Sequence, residues 1–328
     1  MASTTKIMTC ILALENSNLS NIVTVSKKAA SIHGSTLGLK ENMKISMQDL
    51  LYGLMLRSGN DCAIAIAEEV SGSVENFANL MNKKAKELNL QNTNFVTPHG
   101  LDDENHFTTA YELALLTDYG LKNDTFRNIV SCKNYTFNFD GYSKTITNTN
   151  ELLGNLSGVY GVKTGFTFEA GRCLVSSCRR NNLDIIVVVL GANTKRIRTQ
   201  DSYNLINYIF NTFQYINVSK TINESFSGFN NYINDLIFLE KTTDTPKFKL
   251  ETLNNYEFPL KTNGEIKFST KIYTSKNFSY KLSAGDEIGK LDLYNNGNLL
   301  CEVKIFLDNN LNRNSFIFYL KETFKFFK

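Results

Sequence analysis

Tryptophan is absent from this chain of 328 residues, and proline and histidine occur only three times each. Aromatic packing must therefore come from 23 phenylalanines and 15 tyrosines. Long apolar runs are also missing: the longest extends from Ile185 to Leu190. This is far short of the roughly 20 residues that a membrane-spanning helix needs. The sequence thus predicts no transmembrane helix, and the short run suits a buried strand.

A strong excess of charge of either sign is missing as well. The formal net charge is +3, and the lysines and arginines are scattered, which argues against nucleic acid as a partner. Hydrophobic residues make up 42% of the chain and charged residues 20%, which excludes wholesale disorder. The length favours more than one folding unit.

Metal-binding patterns are not found either. The chain has no Cys-X-X-Cys pair, and His33, His99 and His106 lack the spacing of metal ligands, so we expect no metal and no other cofactor. We interpret the cysteines as buried free thiols because their spacing is irregular in a long chain, with disulfide pairing as the alternative. They are Cys10, Cys62, Cys132, Cys173, Cys178 and Cys301.

Apolar periodicity and capping residues predict several helices in the first 210 residues. Ser46 with Asp49 three residues later marks one helix start, and Thr109 with Glu112 forms a capping box that opens another. The stretch Arg57–Asn60 is a turn between two helices. Helices are expected at about 3–15, 47–56, 64–70, 73–88, 113–121 and 200–213.

Strands dominate the rest of the sequence. Residues 158–164 form one predicted strand, and residues 173–178 and 184–190 form a hairpin around Asn181-Asn182. From residue 214, short alternating segments separated by Asn263-Gly264 and Asn296-Gly297 are typical of an all-β domain. We therefore predict an α+β fold with a first domain at 1–213, an all-β domain at 214–310 and a final segment at 311–328.

The final segment has an amphipathic helical pattern. Apolar residues from Phe316 to Phe327 fall on one side of a helix, and lysines lie elsewhere. This pattern indicates a helix that lies on a membrane surface. The alternative is a helix that packs on the β domain.

Three short motifs carry the chemistry. They are Ser3-Thr4-Thr5-Lys6 at the start of a helix, Ser58-Gly59-Asn60 in a turn between helices, and Lys163-Thr164-Gly165 at the end of a strand. Each motif alone is weak evidence, but their joint occurrence, order and context are specific.

The physical properties of these residues fit nucleophilic catalysis. Residues three apart on a helix share a face, so the hydroxyl of Ser3 and the amine of Lys6 can meet. A buried lysine near a second cation, here Lys163, can lose its charge and act as the base that a serine nucleophile needs. An extended peptide can pair with the strand edge, and Gly165 lets its backbone approach closely.

With its neighbouring segments, the trio resembles the low-molecular-mass penicillin-binding proteins, and more narrowly the serine-type D-alanyl-D-alanine carboxypeptidases of peptidase family S11. The resemblance implies a β-lactamase/transpeptidase-like domain, with an antiparallel sheet flanked by helices, then the family's C-terminal β domain and membrane anchor. The matching segments are 2–9, 56–61, 98–102, 109–114, 161–171, 187–192 with Arg198, and 283–289.

The resemblance implies catalytic roles for the first two motifs. Ser3 would attack the carbonyl between two terminal D-alanines of a peptidoglycan stem peptide, and Lys6 would take its proton. Ser58 would relay a proton to the leaving D-alanine, while Asn60 holds a substrate amide. β-Lactams, which mimic D-Ala-D-Ala, would trap Ser3, whose backbone N–H is half of the oxyanion hole.

The third motif would bind the substrate. Lys163 would shape the positive potential, Thr164 would bind the substrate carboxylate beside Gly165, and the N–H of Phe166 would complete the oxyanion hole. Arg198 would help bind the terminal carboxylate. The resemblance also implies a location at the cell wall and the extracytoplasmic face of the membrane, which the C-terminal helix would contact.

Two departures from the family pattern stand out. Relatives normally have a signal peptide and a sheet strand before the first motif, so we expect this chain to be N-terminally truncated or mis-started. Many relatives also carry arginine at the position of Thr149, so one carboxylate contact is expected to be missing.

Two alternative functions follow from these features. A truncated homologue could bind muropeptides or penicillin without turnover. A serine β-lactamase is less favoured, because no glutamate stands in the deacylation motif of that class.

Overall fold

The computed structural model describes residues 1–139, 142–236, 246–262, 264–274, 282–311 and 316–325. The chain divides into two compact units, Met1–Asn211 and Thr212–Lys328. The domain limits taken from the sequence at residues 213 and 310 stay predictions. All six cysteines, each within the described residues, are free thiols, and four of them are buried.

The first unit contains more helix than strand. A 3₁₀ turn at Ala2–Thr5 leads directly into the first helix. The helices are α1 (Lys6–Asn16), α2 (Lys27–Ser31), α3 (Met47–Leu56), α4 (Asn60–Ser71), α5 (Val74–Glu87), α6 (Ala110–Leu121), α7 (Asp124–Ser131) and α8 (Lys195–Thr212). The strands are β1 (Ile22–Thr24), β2 (Lys44–Ser46), β3 (Asn134–Phe139), β4 (Tyr142–Thr147), β5 (Val159–Thr167), β6 (Gly171–Arg180) and β7 (Leu183–Ala192).

Helix α1 lies at the centre of this unit. Its first eight residues are all buried, and it contacts α3, α4, α5, α6 and α7. A helix that is apolar on every side must be enclosed in this way. The helix predicted at about 3–15 is present, but its first turn is a 3₁₀ helix, in which the hydroxyls of Thr4 and Thr5 donate to the carbonyls of Met1 and Ala2.

Two predicted caps have different outcomes. The hydroxyl of Ser46 accepts a hydrogen bond from the backbone N–H of Asp49 at 3.0 Å and caps α3, as predicted. The hydroxyl of Thr109 accepts from the N–H of Glu112 at 3.1 Å. The reciprocal half of that capping box is wrong, because the Glu112 carboxylate instead accepts hydrogen bonds from Asn92 and Thr93.

Strands β5, β6 and β7 form an antiparallel sheet in that order. The β6–β7 turn at Asn181-Asn182 has φ values of 48° and 64°, which two-residue hairpins of this twist require, so the predicted hairpin is confirmed. In the β5–β6 pair, Thr164 lies opposite Leu174 and Phe166 lies opposite Arg172. This register fixes which side chains surround the third motif.

The second unit contains a four-stranded antiparallel sheet and a separate strand pair. The sheet has the order β11 (Phe268–Thr274), β12 (Glu287–Asn295), β13 (Asn298–Leu307), β9 (Phe248–Leu250), and β8 (Phe213–Asn217) pairs with β10 (Glu257–Lys261). The turn at Asn296-Gly297 joins β12 and β13 as predicted. Asn263 of the other predicted turn lies outside the described residues.

The sequence suggested that this unit contains strands alone, but the structure also has a helix there. Helix α9 spans Ser219–Leu236, and its residues Ile222, Phe226 and Phe229 pack on the sheet core. Their spacing is helical, but the many polar residues between them weaken the pattern in the sequence.

The C-terminal helix α10 spans Phe316–Lys325. Its apolar residues Phe316, Ile317, Leu320 and Phe324 are between 42% and 77% exposed. Phe327 of the predicted apolar side lies outside the described residues. Within the described part of the chain, no helix is long and apolar enough to span a bilayer.

Candidate active site

A pocket of about 440 Å³ opens where the three motifs meet. It lies between the 3₁₀ turn, the α3–α4 turn, strand β5 and the start of α8. Six of the nine residues predicted for the site line it: Ser3, Ser58, Thr164, Gly165, Phe166 and Arg198. The other three lie beneath the pocket surface: Lys6 is fully buried, Lys163 is 1% exposed and Asn60 is 3% exposed.

The 3₁₀ turn holds Ser3 against strand β5. A Cβ atom added to Gly165 would lie 3.2 Å from the backbone nitrogen of Ser3, which is closer than most Cβ contacts in proteins. Gly100 is packed against the other side of the turn with φ of +84°, and a Cβ there would lie 2.0 Å from the carbonyl oxygen of Ala2. Glycine is therefore required at position 100, and at position 165 it is the residue that avoids a displacement of the turn.

Lys6 lies directly beneath Ser3. Its Nζ is 3.0 Å from the Ser3 Oγ, and it also donates to the Oδ1 of Asn60 at 2.8 Å and to the carbonyl of His99 at 2.7 Å. Burial, reinforced by the positive charge of Lys163, holds the pKa of Lys6 well below its ordinary value. A neutral amine in hydrogen-bond contact with a hydroxyl is equipped to take its proton.

The second motif forms the α3–α4 turn. Ser58 adopts a φ of 65°, which is uncommon for a residue other than glycine, and its side chain reaches the pocket. The Nδ2 of Asn60 donates to the carbonyl of His33 at 2.8 Å, while its Oδ1 accepts from Lys6. Both ends of this amide are thus engaged within the protein, which fixes its orientation.

The third motif ends strand β5 beside the pocket. Burial and the charge of Arg198 lower the pKa of Lys163 to about 7, and its Nζ donates to the carbonyl of Thr164 at 2.9 Å. The hydroxyl of Thr164 lies 2.6 Å from that of Thr149. Many relatives carry arginine at position 149, whereas the threonine of this chain supports Thr164 through its hydroxyl.

His106 supports the turn that carries Ser3. Its Nδ1 accepts from the backbone N–H of Val96 at 2.9 Å, so the ring proton is on Nε2, which lies 2.7 Å from the hydroxyl of Thr5. That hydroxyl donates to the carbonyl of Ala2 at 2.8 Å. Burial lowers the pKa of His106 to about 4, which keeps this connection in its neutral form.

Family comparison matches both units of the chain. Residues 1–194 match the peptidase S11 profile, described as D-alanyl-D-alanine carboxypeptidase, and this match covers more than half of the sequence. The chain belongs to the D-alanyl-D-alanine carboxypeptidase family. Residues 240–313 match the C-terminal domain of penicillin-binding protein 5. The family resemblance and the fold class predicted from the sequence are thus confirmed.

Relatives with this family name align over much of the chain. The D-alanyl-D-alanine carboxypeptidase DacF of Bacillus subtilis is 33% identical and covers 98% of this chain, which spans 82% of that relative. DacC of Escherichia coli is 40% identical over 65% of this chain, which spans 56% of that relative's length. The crystal structure of penicillin-binding protein 5 from Haemophilus influenzae superposes with a TM-score of 0.73 at 27% identity, covering 95% of this chain and 90% of that one.

In this carboxypeptidase-family site, Arg198 is not alone. Its Nη2 donates to the Oε2 of Glu151 at 2.7 Å, and Lys195 forms an ion pair with the other oxygen of the same carboxylate. Burial and then the charge of Arg172 lower the pKa of Arg198. The predicted carboxylate-binding arginine therefore already has an anionic partner.

Sequence reasoning missed Glu151 and Arg172. Both line the pocket, and the guanidinium carbon of Arg172 lies 3.5 Å from the ring centroid of Phe166. A signal for Arg172 was present, because a tight turn after Thr167 places residue 172 opposite Phe166 on the next strand. Glu151 lies two residues after Thr149, the position that the sequence analysis did single out.

Proposed function

We propose that this chain is a serine carboxypeptidase that removes the terminal D-alanine from peptidoglycan stem peptides through an acyl-enzyme on Ser3. The observation that carries the proposal is the 3.0 Å contact between the Ser3 hydroxyl and the buried amine of Lys6. A lysine with a strongly lowered pKa beside a serine on a pocket wall is the arrangement that nucleophilic catalysis requires.

In the acylation step, neutral Lys6 takes the proton of Ser3 as its Oγ bonds to the carbonyl carbon between the two D-alanines. The carbon–nitrogen bond then breaks, and Ser58 donates its proton to the departing amine and takes the proton held by Lys6, so both residues return to their starting states. The backbone N–H groups of Ser3 and Phe166 stabilise the oxyanion. Water hydrolyses the resulting ester, which frees the shortened peptide and returns the proton to Ser3.

The remaining motif residues would position the substrate. Thr164 binds the terminal carboxylate, and Lys163 contributes positive potential beneath it. Asn60 orients Lys6 as well as a substrate amide, since its amide oxygen contacts the Lys6 amine. Gly165 leaves room for an extended peptide along β5. Arg198 adds positive charge, which its ion pair with Glu151 partly balances.

D-Alanine release from a diacyl-L-Lys-D-Ala-D-Ala peptide tests the proposal, with the Ser3→Ala variant as control. Wild-type protein should release D-alanine and form a one-to-one adduct with benzylpenicillin that intact mass spectrometry detects, because β-lactams acylate the same serine. Ser3→Ala should do neither. Penicillin adduct without D-alanine release would favour a protein that binds β-lactams but does not turn over peptides.

We further propose that α10 places the protein on an anionic membrane surface at the cell wall. Four exposed apolar side chains on a helix that also carries Lys321 and Lys325 fit the interfacial class of helices. The apolar side chains would enter the headgroup region, while the lysines would contact lipid phosphates.

Replacing Leu320 and Phe324 with glutamate should lower the fraction that sediments with phosphatidylglycerol vesicles by about tenfold. Each substitution removes apolar burial and adds like charge facing the lipid. Leu299→Glu is the matched control, because Leu299 is 54% exposed on strand β13 rather than on α10. Equal sedimentation of all three proteins would contradict a role for α10.

A further inference from the structure

The active-site pocket has an excess of positive charge. Its lining includes four cationic side chains and one carboxylate, Glu151; the cations are Arg57, Arg172, Lys195 and Arg198. A concave site with this balance favours an anionic ligand. The distribution of the charge within the pocket decides which cation meets that ligand.

Glu151 reduces the positive charge on the α8 side of the pocket. It forms ion pairs with both Lys195 and Arg198, and it also accepts a hydrogen bond from the hydroxyl of Thr199 at 2.9 Å. A substrate carboxylate that approaches Arg198 must therefore compete with a protein carboxylate that is already in place. One of the two positive charges that α8 contributes to the pocket is thus balanced by Glu151 before substrate arrives.

Arg172 on strand β6 is in a different position. Among the described residues, it has no carboxylate within ion-pair distance, whereas its guanidinium stacks on the ring of Phe166 at 3.5 Å. Stacking leaves the N–H groups at the edge of the guanidinium available and holds its plane in place. Arg57, the other such cation, is exposed, and no aromatic ring among the described residues stacks on it.

The sheet register puts Arg172 near the residue proposed to bind the substrate carboxylate. Thr164 pairs with Leu174 and Phe166 pairs with Arg172, so Thr164 and Arg172 are diagonal neighbours across the two strands. Such neighbours are about 7–8 Å apart, within reach of a long side chain. A carboxylate at Thr164 therefore lies within range of the guanidinium.

We propose that Arg172 is a specificity-determining residue that binds the free C-terminal carboxylate of the peptide substrate. This inference rests on the proposed function, and it identifies Arg172 as the cation that recognises the substrate carboxylate. Planar guanidinium and carboxylate groups match in geometry, and the Phe166 stack pre-organises the pair.

The test compares the peptide acid with its C-terminal amide. For wild type, Arg172→Gln and Arg172→Lys, kcat/KM is measured on diacyl-L-Lys-D-Ala-D-Ala and on the matching amide. Arg172→Gln should reduce the acid-to-amide ratio by about 10- to 100-fold, the usual effect of a hydrogen bond to a charged group. Arg172→Lys should keep part of the ratio, and the amide rates should stay near the wild-type value, which shows that the site remains folded.

Arg180→Gln is the matched control. Arg180 is also half-buried on β6 and lies over the ring of Phe210 at 4.8 Å, but it does not line the pocket. Its variant should keep the wild-type ratio. An unchanged ratio in Arg172→Gln would overturn the inference.

If wild type cleaves neither peptide, the proposed function fails. The acid-to-amide ratio of binding affinities, measured in the Ser3→Ala background, then still tests Arg172. A drop in that ratio with Arg172→Gln supports the inference, and an equal ratio overturns it.

Discussion

The Lys6→Met variant should be acylated by benzylpenicillin about 10³-fold more slowly than wild type, because a positioned general base contributes about 10²- to 10⁴-fold. Methionine is close to lysine in length and apolar, so it fills the space beneath Ser3 without offering a base. The loss should be much larger than the loss of a single hydrogen bond, since the Lys6 amine connects Ser3, Asn60 and the His99 carbonyl.

The acylation rate is measured from the time course of the penicillin adduct by intact mass spectrometry. Lys144→Met is the matched control, because the amine of Lys144 also donates to a backbone carbonyl, that of Leu37, at 2.7 Å, yet it lies outside the pocket. Thermal unfolding of both variants separates lost chemistry from lost structure. A Lys6→Met protein that acylates at the wild-type rate would rule out Lys6 as the base.

Gly165→Ala should reduce acylation by about 10²-fold, the usual cost of losing one oxyanion donor. The new methyl group would lie 3.2 Å from the Ser3 nitrogen, the Met1 carbonyl oxygen and the Ala2 Cβ. Those atoms must move by a few tenths of an ångström, and the Ser3 N–H moves with them. The turn would shift away from the strand while the fold stays intact.

Steady-state release of D-alanine and the penicillin adduct rate both measure this effect. Gly228→Ala in helix α9 serves as the control, since no neighbouring atom lies within 4 Å of the added methyl group. Wild-type acylation by Gly165→Ala would show that the close approach of β5 to the turn has no catalytic role.

Local sequence rules predicted the parts of the fold that depend on nearby residues. The cap at Ser46 and the Asn181-Asn182 turn follow from side-chain and backbone preferences within a few positions, and both are present. The catalytic motifs could also be placed, because an SxxK spacing brings Ser3 and Lys6 onto one side of a turn.

Features that depend on distant partners could not be predicted in the same way. The Glu112 carboxylate fits a capping box in sequence, but Asn92 and Thr93 offer it four hydrogen bonds. Glu151 meets Arg198 only after the sheet brings α8 to the pocket. Helix α9 is stabilised by contact with the sheet of its own unit rather than by a strong pattern in its sequence.

The neutral state of His106 has a consequence for how the protein responds to acid. With a pKa of about 4, this imidazole holds one proton on Nε2 throughout the range from pH 5 to 8. The contacts with Val96 and Thr5 therefore persist when the surroundings of a cell become mildly acidic. The contacts that hold the turn of the nucleophile therefore do not act as a proton sensor over this range.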